Sequence, residues 1–185
     1  MNRTEAFDLL TEWTKNEALI NHALCVEAAM RTYARRFGED EEKWGLTGLL
    51  HDFDYERHPT LDLHPMEGSK VLRERGVDED VIYAILTHAE FLNLPRKSLM
   101  DKSLAAVDEL CGFIVAVALV RPSKSVLDLE VSSVKKKMKD KAFARAVRRQ
   151  DIIEGAEALN LSLDEHIEIV IGALQGIAPR LGLAG

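Results

Sequence analysis

Apolar residues recur at spacings of three and four along almost all of this 185-residue chain, and no segment alternates convincingly at period two. A chain so patterned can bury its apolar atoms only on helix faces, so the expected fold class is all-α. The clearest stripe is Leu19, Ala23, Val26, Met30, Tyr33 and Phe37, one long amphipathic helix that Gly38 can end in a left-handed conformation. A short helix around Thr4 to Trp13 precedes it. After it, Asp40 can cap a helix carrying Trp44, Leu46, Leu49 and Leu50 into His51-Asp52.

Between Phe53 and Pro65 the run FDYERHPTLDLHP has two His-Pro steps and no periodicity, which predicts an irregular loop. Pro65 suits the first turn of a helix running to Arg75 and stopped by Gly76. Asp78 then caps a helix with Val81, Ile82, Ile85 and Leu86 inward and His88 near its end. Ser98 can cap the next, whose register Leu104, Asp108, Cys111, Val115 gives one buried face, and Pro122 ends it. Ser132 to Arg149 reads as one or two basic helices, followed by a helix from about Asp151 to Leu159. Ser162 and Glu165 form a capping box for the last helix, with Ile167, Val170, Ile171 and Leu174 inward. No repeat, low-complexity tract or linker interrupts residues 1–185, so a single domain is expected.

A net charge of −7 speaks against a general nucleic-acid binder, because neutralising phosphates takes a basic surface. MNRTEAFDLL has neither an apolar signal core nor a cleavage site, which points to the cytoplasm, and Gly112 to Val120 is too short to span a bilayer. The two cysteines, Cys25 and Cys111, lack zinc-finger spacing.

Chemistry is concentrated instead in four of the six histidines and two aspartates: His22, the doublet His51-Asp52, His64, His88 and Asp108. Imidazole and carboxylate together are ligands for a first-row transition metal. Each has a plainer reading alone; a histidine beside an apolar stripe, such as His22, is more often a hydrogen-bonded core residue. Asp108 is harder to dismiss, since an ionised carboxylate in an apolar helix face costs several kcal/mol unless it is paired, hydrogen-bonded or metal-bound.

A histidine, a His-Asp doublet and a distant aspartate resemble the pattern of the HD-domain superfamily of metal-dependent phosphohydrolases, with LTGLLHDFDYE similar to the family's apolar approach to its doublet. The resemblance is closest to a group of uncharacterised predicted HD hydrolases, through HDFDYERHP and DELCGFIVA. It extends more distantly, through HPMEGS, ILTH and MDKSLAAVDEL, to bacterial HD proteins that hydrolyse dinucleoside polyphosphates. It implies an HD-domain helical bundle, with a metal-binding core over about 17–120 and additional C-terminal helices over about 123–185. Phe53-Asp54-Tyr55 replaces the Gly-Lys that often follows the doublet, with Asp54 and Glu56 supplying acid nearby. The paired histidines and GYP-containing motif of cyclic-di-GMP phosphodiesterases are missing.

The resemblance implies one or two divalent transition-metal ions. In the two-ion form His22, His51 and Asp108 hold the first, Asp52 bridges, and His64 and His88 hold the second. Nitrogen-rich ligation suits Fe or Mn, with Zn, Co and Ni as alternatives, better than Mg. The implied reaction is hydrolysis of a small phosphorylated substrate, a phosphate ester or anhydride of a nucleotide, by a metal-activated hydroxide. Three residues are candidates for catalysis: Asp52, Lys102 as a phosphate-binding cation, and His58 as a general acid in the loop after the doublet. His166 reads as structural, and the run VKKKMKDKAFARAVRR as a solvated face. Two rival functions are a di-iron oxygenase on the same ligands and a helical module that binds a nucleotide or partner without turnover.

Overall fold

The computed structural model describes residues 1–185 as ten α-helices, one 3₁₀ turn and no strand beyond a single bridge between Ser125 and Ala184. The helices are α1 (Arg3–Trp13), α2 (Glu17–Phe37), α3 (Glu41–Leu50), α4 (Met66–Glu74), α5 (Glu79–His88), α6 (Leu99–Leu119), α7 (Val131–Met138), α8 (Arg149–Ala158), α9 (Leu163–Gln175) and α10 (Ala178–Leu181). The 3₁₀ turn, Glu90–Leu92, follows α5. Two compact units divide the chain, Met1–Leu104 and Ala105–Gly185, with the division inside α6. No helix is long and apolar enough to cross a membrane.

In the first unit the expected punctuation is observed. Gly38 closes α2 at φ +71°, and the Asp40 side chain accepts from the Glu42 and Lys43 N–H groups at the start of α3. Ser98 Oγ accepts from Asp101 N–H, and the Asp101 carboxylate accepts in return from Lys97 and Ser98, a reciprocal cap at the entry to α6. Two starts differ from expectation. Pro65 stands just before α4 rather than in its first turn. Asp78 precedes α5 without capping it, because its carboxylate is drawn 3.1 Å from Lys43 Nζ.

The α2 and α3 backbones touch. A Cβ on Gly48 would stand 2.8 Å from the Val26 carbonyl oxygen and 2.9 Å from the Glu27 nitrogen, closer than side-chain carbon tolerates. Glu27, buried on α2, accepts from Arg3 at 2.6 and 2.9 Å and from Arg31 at 3.0 Å, and Arg31 reaches on to Glu42. A buried carboxylate with two guanidinium partners fastens α1, α2 and the start of α3. Leu9, Leu10, Met30, Tyr33, Leu49, Leu50, Leu72, Ile82 and Ile85 are all but fully buried.

The loop after α3 is irregular, as its two His-Pro steps predict, but it is tied down. Thr14 Oγ1 donates to the Phe53 carbonyl at 3.0 Å, and the Glu56 carboxylate accepts from the Lys15 and Asn16 N–H groups. The Arg57 guanidinium donates to the Glu12 carbonyl and lies over the Trp13 ring. The loop's start is therefore anchored to the α1–α2 junction.

In the second unit the Ser162–Glu165 capping box opens α9 as expected. Between Ser132 and Arg149 the expectation of one or two basic helices is met only by α7; turns follow as far as the start of α8. The reason is Arg149, whose guanidinium donates to the carbonyls of Asp140, Phe143, Ala144 and Val147, oxygens that a helix would use internally. The same guanidinium lies over the Phe113 ring, 5.0 Å from its centroid, and Phe143 meets Phe113 edge-on. His166 is structural: it is fully buried, and its Nε2 donates to the Ala106 carbonyl at 2.9 Å. Burial lowers this imidazole to about 4, partly offset by that bond.

Candidate metal centre

Four histidines from separate stretches of sequence meet in the first unit. His22 lies one turn into α2, His51 follows the last residue of α3, His64 closes the loop, and His88 ends α5. Their rings form a chain of edge contacts: His22 to His51 at 5.2 Å between centroids, His51 to His88 at 5.4 Å, and His88 to His64 at 5.3 Å. The backbone contact at Gly48 sets the first of these, because it brings α3 against the helix that carries His22.

Asp52 is the hub. Its Oδ1 lies 3.2 Å from His64 Nε2 and 3.2 Å from His88 Nε2, and its Oδ2 lies 3.5 Å from His51 Nε2. The donor atoms of Asp52, His64 and His88 lie within 4.8 Å of one another, the spread of a group able to close on one cation. Asp108 stands half-buried on α6 in the second unit, less enclosed than its apolar register suggests.

Each imidazole around Asp52 is oriented from behind. Nδ1 of His51 donates to the Gly48 carbonyl at 2.8 Å, and Nδ1 of His88 donates to the Ile85 carbonyl. A carbonyl can only accept, so each ring carries a proton on Nδ1 and turns Nε2 toward Asp52. His64 Nδ1 meets a carboxylate instead, Asp54 Oδ1 at 2.7 Å.

Burial would raise the Asp52 carboxyl, but the charge of His51 and hydrogen bonds from His64 and His88 outweigh it and hold the group well below the usual carboxylate range. Burial would likewise lower His64; the hydrogen bonds and charges of Asp52 and Asp54 prevail and raise it to about 9. Such a carboxylate among imidazoles is a site arranged for positive charge. Three Nε2 atoms aimed at one carboxylate fit a divalent transition metal, and the nitrogen-rich set is a poor match to the all-oxygen preference of Mg.

Two further candidates, His58 and Lys102, are not among the metal-holding groups. His58 is half-buried against Trp13, its ring centroid 6.0 Å away. Lys102 is half-buried on the second turn of α6. Two residues that sequence reasoning did not assign to the site adjoin it directly: Asp54, fully buried behind His64, and Gly68, whose N–H donates to Asp54 Oδ2 at 2.8 Å. The available signal was an acid two residues after the doublet, together with a glycine four residues after His64.

Comparison with known proteins gives the same direction. The family model described as "HD domain" matches residues 19–162, well over half of the chain. Among curated proteins, Ribonuclease Y of Oleidesulfovibrio alaskensis is 29% identical over 103 residues, 55% of this chain and 19% of the relative. Ribonuclease Y of Nitratidesulfovibrio vulgaris has the same identity and coverage, so the chain spans about a fifth of the length of these relatives. No solved structure matches. With a match of that extent the chain belongs to the HD-domain family, and its histidine and aspartate groups are able to hold metal.

Proposed function

We propose that this protein hydrolyses a phosphate ester or anhydride of a nucleotide with two divalent transition-metal ions, iron or manganese being the best matches to its ligands. The observation that carries the reading is the convergence of His51, His64 and His88 Nε2 on the Asp52 carboxylate. One ion would be held by His22, His51 and Asp108, and the other by His64 and His88, with Asp52 shared between them. Donor chemistry supports both sets, each combining two imidazoles with a carboxylate.

When bound, such ions acidify water and neutralise charge on a phosphate. The chain's own residues do the rest. The Gly48 and Ile85 carbonyls hold a proton on Nδ1 of His51 and His88, so Nε2 is the nitrogen that would give up its proton and bind a metal. Asp52, held as a carboxylate, presents one oxygen toward His64 and His88 and the other toward His51. Lys102 is the proposed phosphate-binding cation and His58 the proposed general acid.

The name of the curated relatives denotes action on RNA, a phosphodiester, which accords with phosphorus-centred hydrolysis here. The net charge of −7 favours a small nucleotide over a polyanion as the substrate of this chain. The test is release of phosphate, nucleoside or shorter nucleotide products by manganese- or iron-loaded protein from a panel of mono- and dinucleotides, with RNA oligomers in parallel. Turnover of a nucleotide supports the reading, turnover of RNA alone reassigns the substrate, and oxygen uptake without phosphorus–oxygen cleavage contradicts it.

A further inference from the structure

A buried carboxylate costs several kcal/mol unless its oxygens are satisfied, and Asp54, 1% exposed, has both engaged. Oδ1 accepts a hydrogen bond from His64 Nδ1 at 2.7 Å, and Oδ2 accepts one from the Gly68 N–H at 2.8 Å. The fit leaves no slack. A Cβ on Gly68 would stand 2.6 Å from Asp54 Cγ and 2.7 Å from Oδ2, so only glycine lets the first turn of α4 close on this carboxylate. The neighbouring imidazoles are backed differently: His51 and His88 rest on neutral carbonyls, of Gly48 and Ile85. Of these three, His64 is the one backed by a full negative charge.

We propose that Asp54 is the positioning residue for the second metal ion, clamped by Gly68 so that it fixes the His64 ring and strengthens Nε2 as a ligand. This rests on the two-ion reading above. A carboxylate behind a ligating imidazole pins the tautomer and raises ligand basicity, and losing such a partner typically costs about 10- to 100-fold in metal affinity. The irregular loop thereby acquires a structural reason. It places an acid two residues beyond Asp52 and a histidine ten residues beyond that acid, on opposite sides of one hydrogen bond.

The test is titration of chelator-stripped full chain with Zn²⁺ alone, comparing wild type with Asp54→Asn and Asp54→Ala. The expected result is a wild type with two binding steps and variants that keep one step unchanged but lose about 10- to 100-fold in the other, alanine more than asparagine. Variants that bind both equivalents as wild type does would overturn the role of Asp54 and leave the two-ion reading standing; a wild type with a single step would overturn both. Should the variants not fold, ¹⁵N NMR of His64 in zinc-loaded wild type decides. A protonated Nδ1 and a metal-bound Nε2 support the proposal, and the reverse assignment overturns it.

Discussion

At the scale of the residue, Asp52 is set apart by what surrounds it: three imidazole Nε2 atoms at 3.2 to 3.5 Å and a carboxyl held ionised despite burial. Replacing it with asparagine keeps the shape and removes the charge, so phosphohydrolysis is expected to fall roughly 10²- to 10⁴-fold, the scale on which groups that transfer protons or stabilise charge act. Initial rates at saturating metal check this, and an unchanged rate would remove Asp52 from the reaction. Gly68 makes the complementary case in stability. Alanine there meets the buried Asp54 carboxylate and is expected to cost about 1 to 3 kcal/mol as overpacking, read as a lower urea midpoint at unchanged slope. Donor types were legible in the sequence because histidine and aspartate are sparse enough to stand out against an apolar background. The backing groups were not: three Nδ1 partners are two backbone carbonyls and one acid ten residues away across an irregular loop, and rotamers rather than spacing decide such contacts.

At the scale of the element, caps and stripes carried most of the helix reading. Gly38, Asp40, Ser98 and the Ser162–Glu165 box punctuate the chain where residue chemistry says they should, since each capping contact is local. Departures arise where a distant partner competes. Lys43 draws the Asp78 carboxylate away from the α5 terminus, and Arg149 collects the carbonyls that would have continued a helix beyond Met138. Close backbone approach at Gly48 is equally invisible to periodicity, yet it sets the distance between the helix of His22 and the helix that leads into His51. Gly48→Ala is therefore expected to cost about 1 to 3 kcal/mol in unfolding free energy and to weaken metal binding along with stability. Gly172→Ala, in open space on α9, serves as the control and is expected to do neither. Equal effects of the two substitutions would show that helix propensity, not the α2–α3 contact, is at stake.

At the scale of the whole molecule, acid stability follows from His166, which is buried neutral with its imidazole lowered from 6.5 to about 4. The unfolded chain then binds the extra proton between those two values, so this contribution is complete above pH 6.5 and is lost as pH falls toward 4. The loss amounts to about 3 kcal/mol. Urea unfolding across that window is expected to show the decline in wild type and a shallower one in His166→Gln; equal slopes would contradict it. Catalysis is the larger matter, because the all-helical scaffold, the family and the convergent donors all bear on one claim: hydrolysis that depends on metal held around Asp52. The most direct measurement is product release from a responsive nucleotide by chelator-stripped protein as Mn²⁺ is added back. The expected trace starts at zero and levels off near about two equivalents per chain. Release that ignores the metal, or none at any loading across the nucleotide panel, would contradict it.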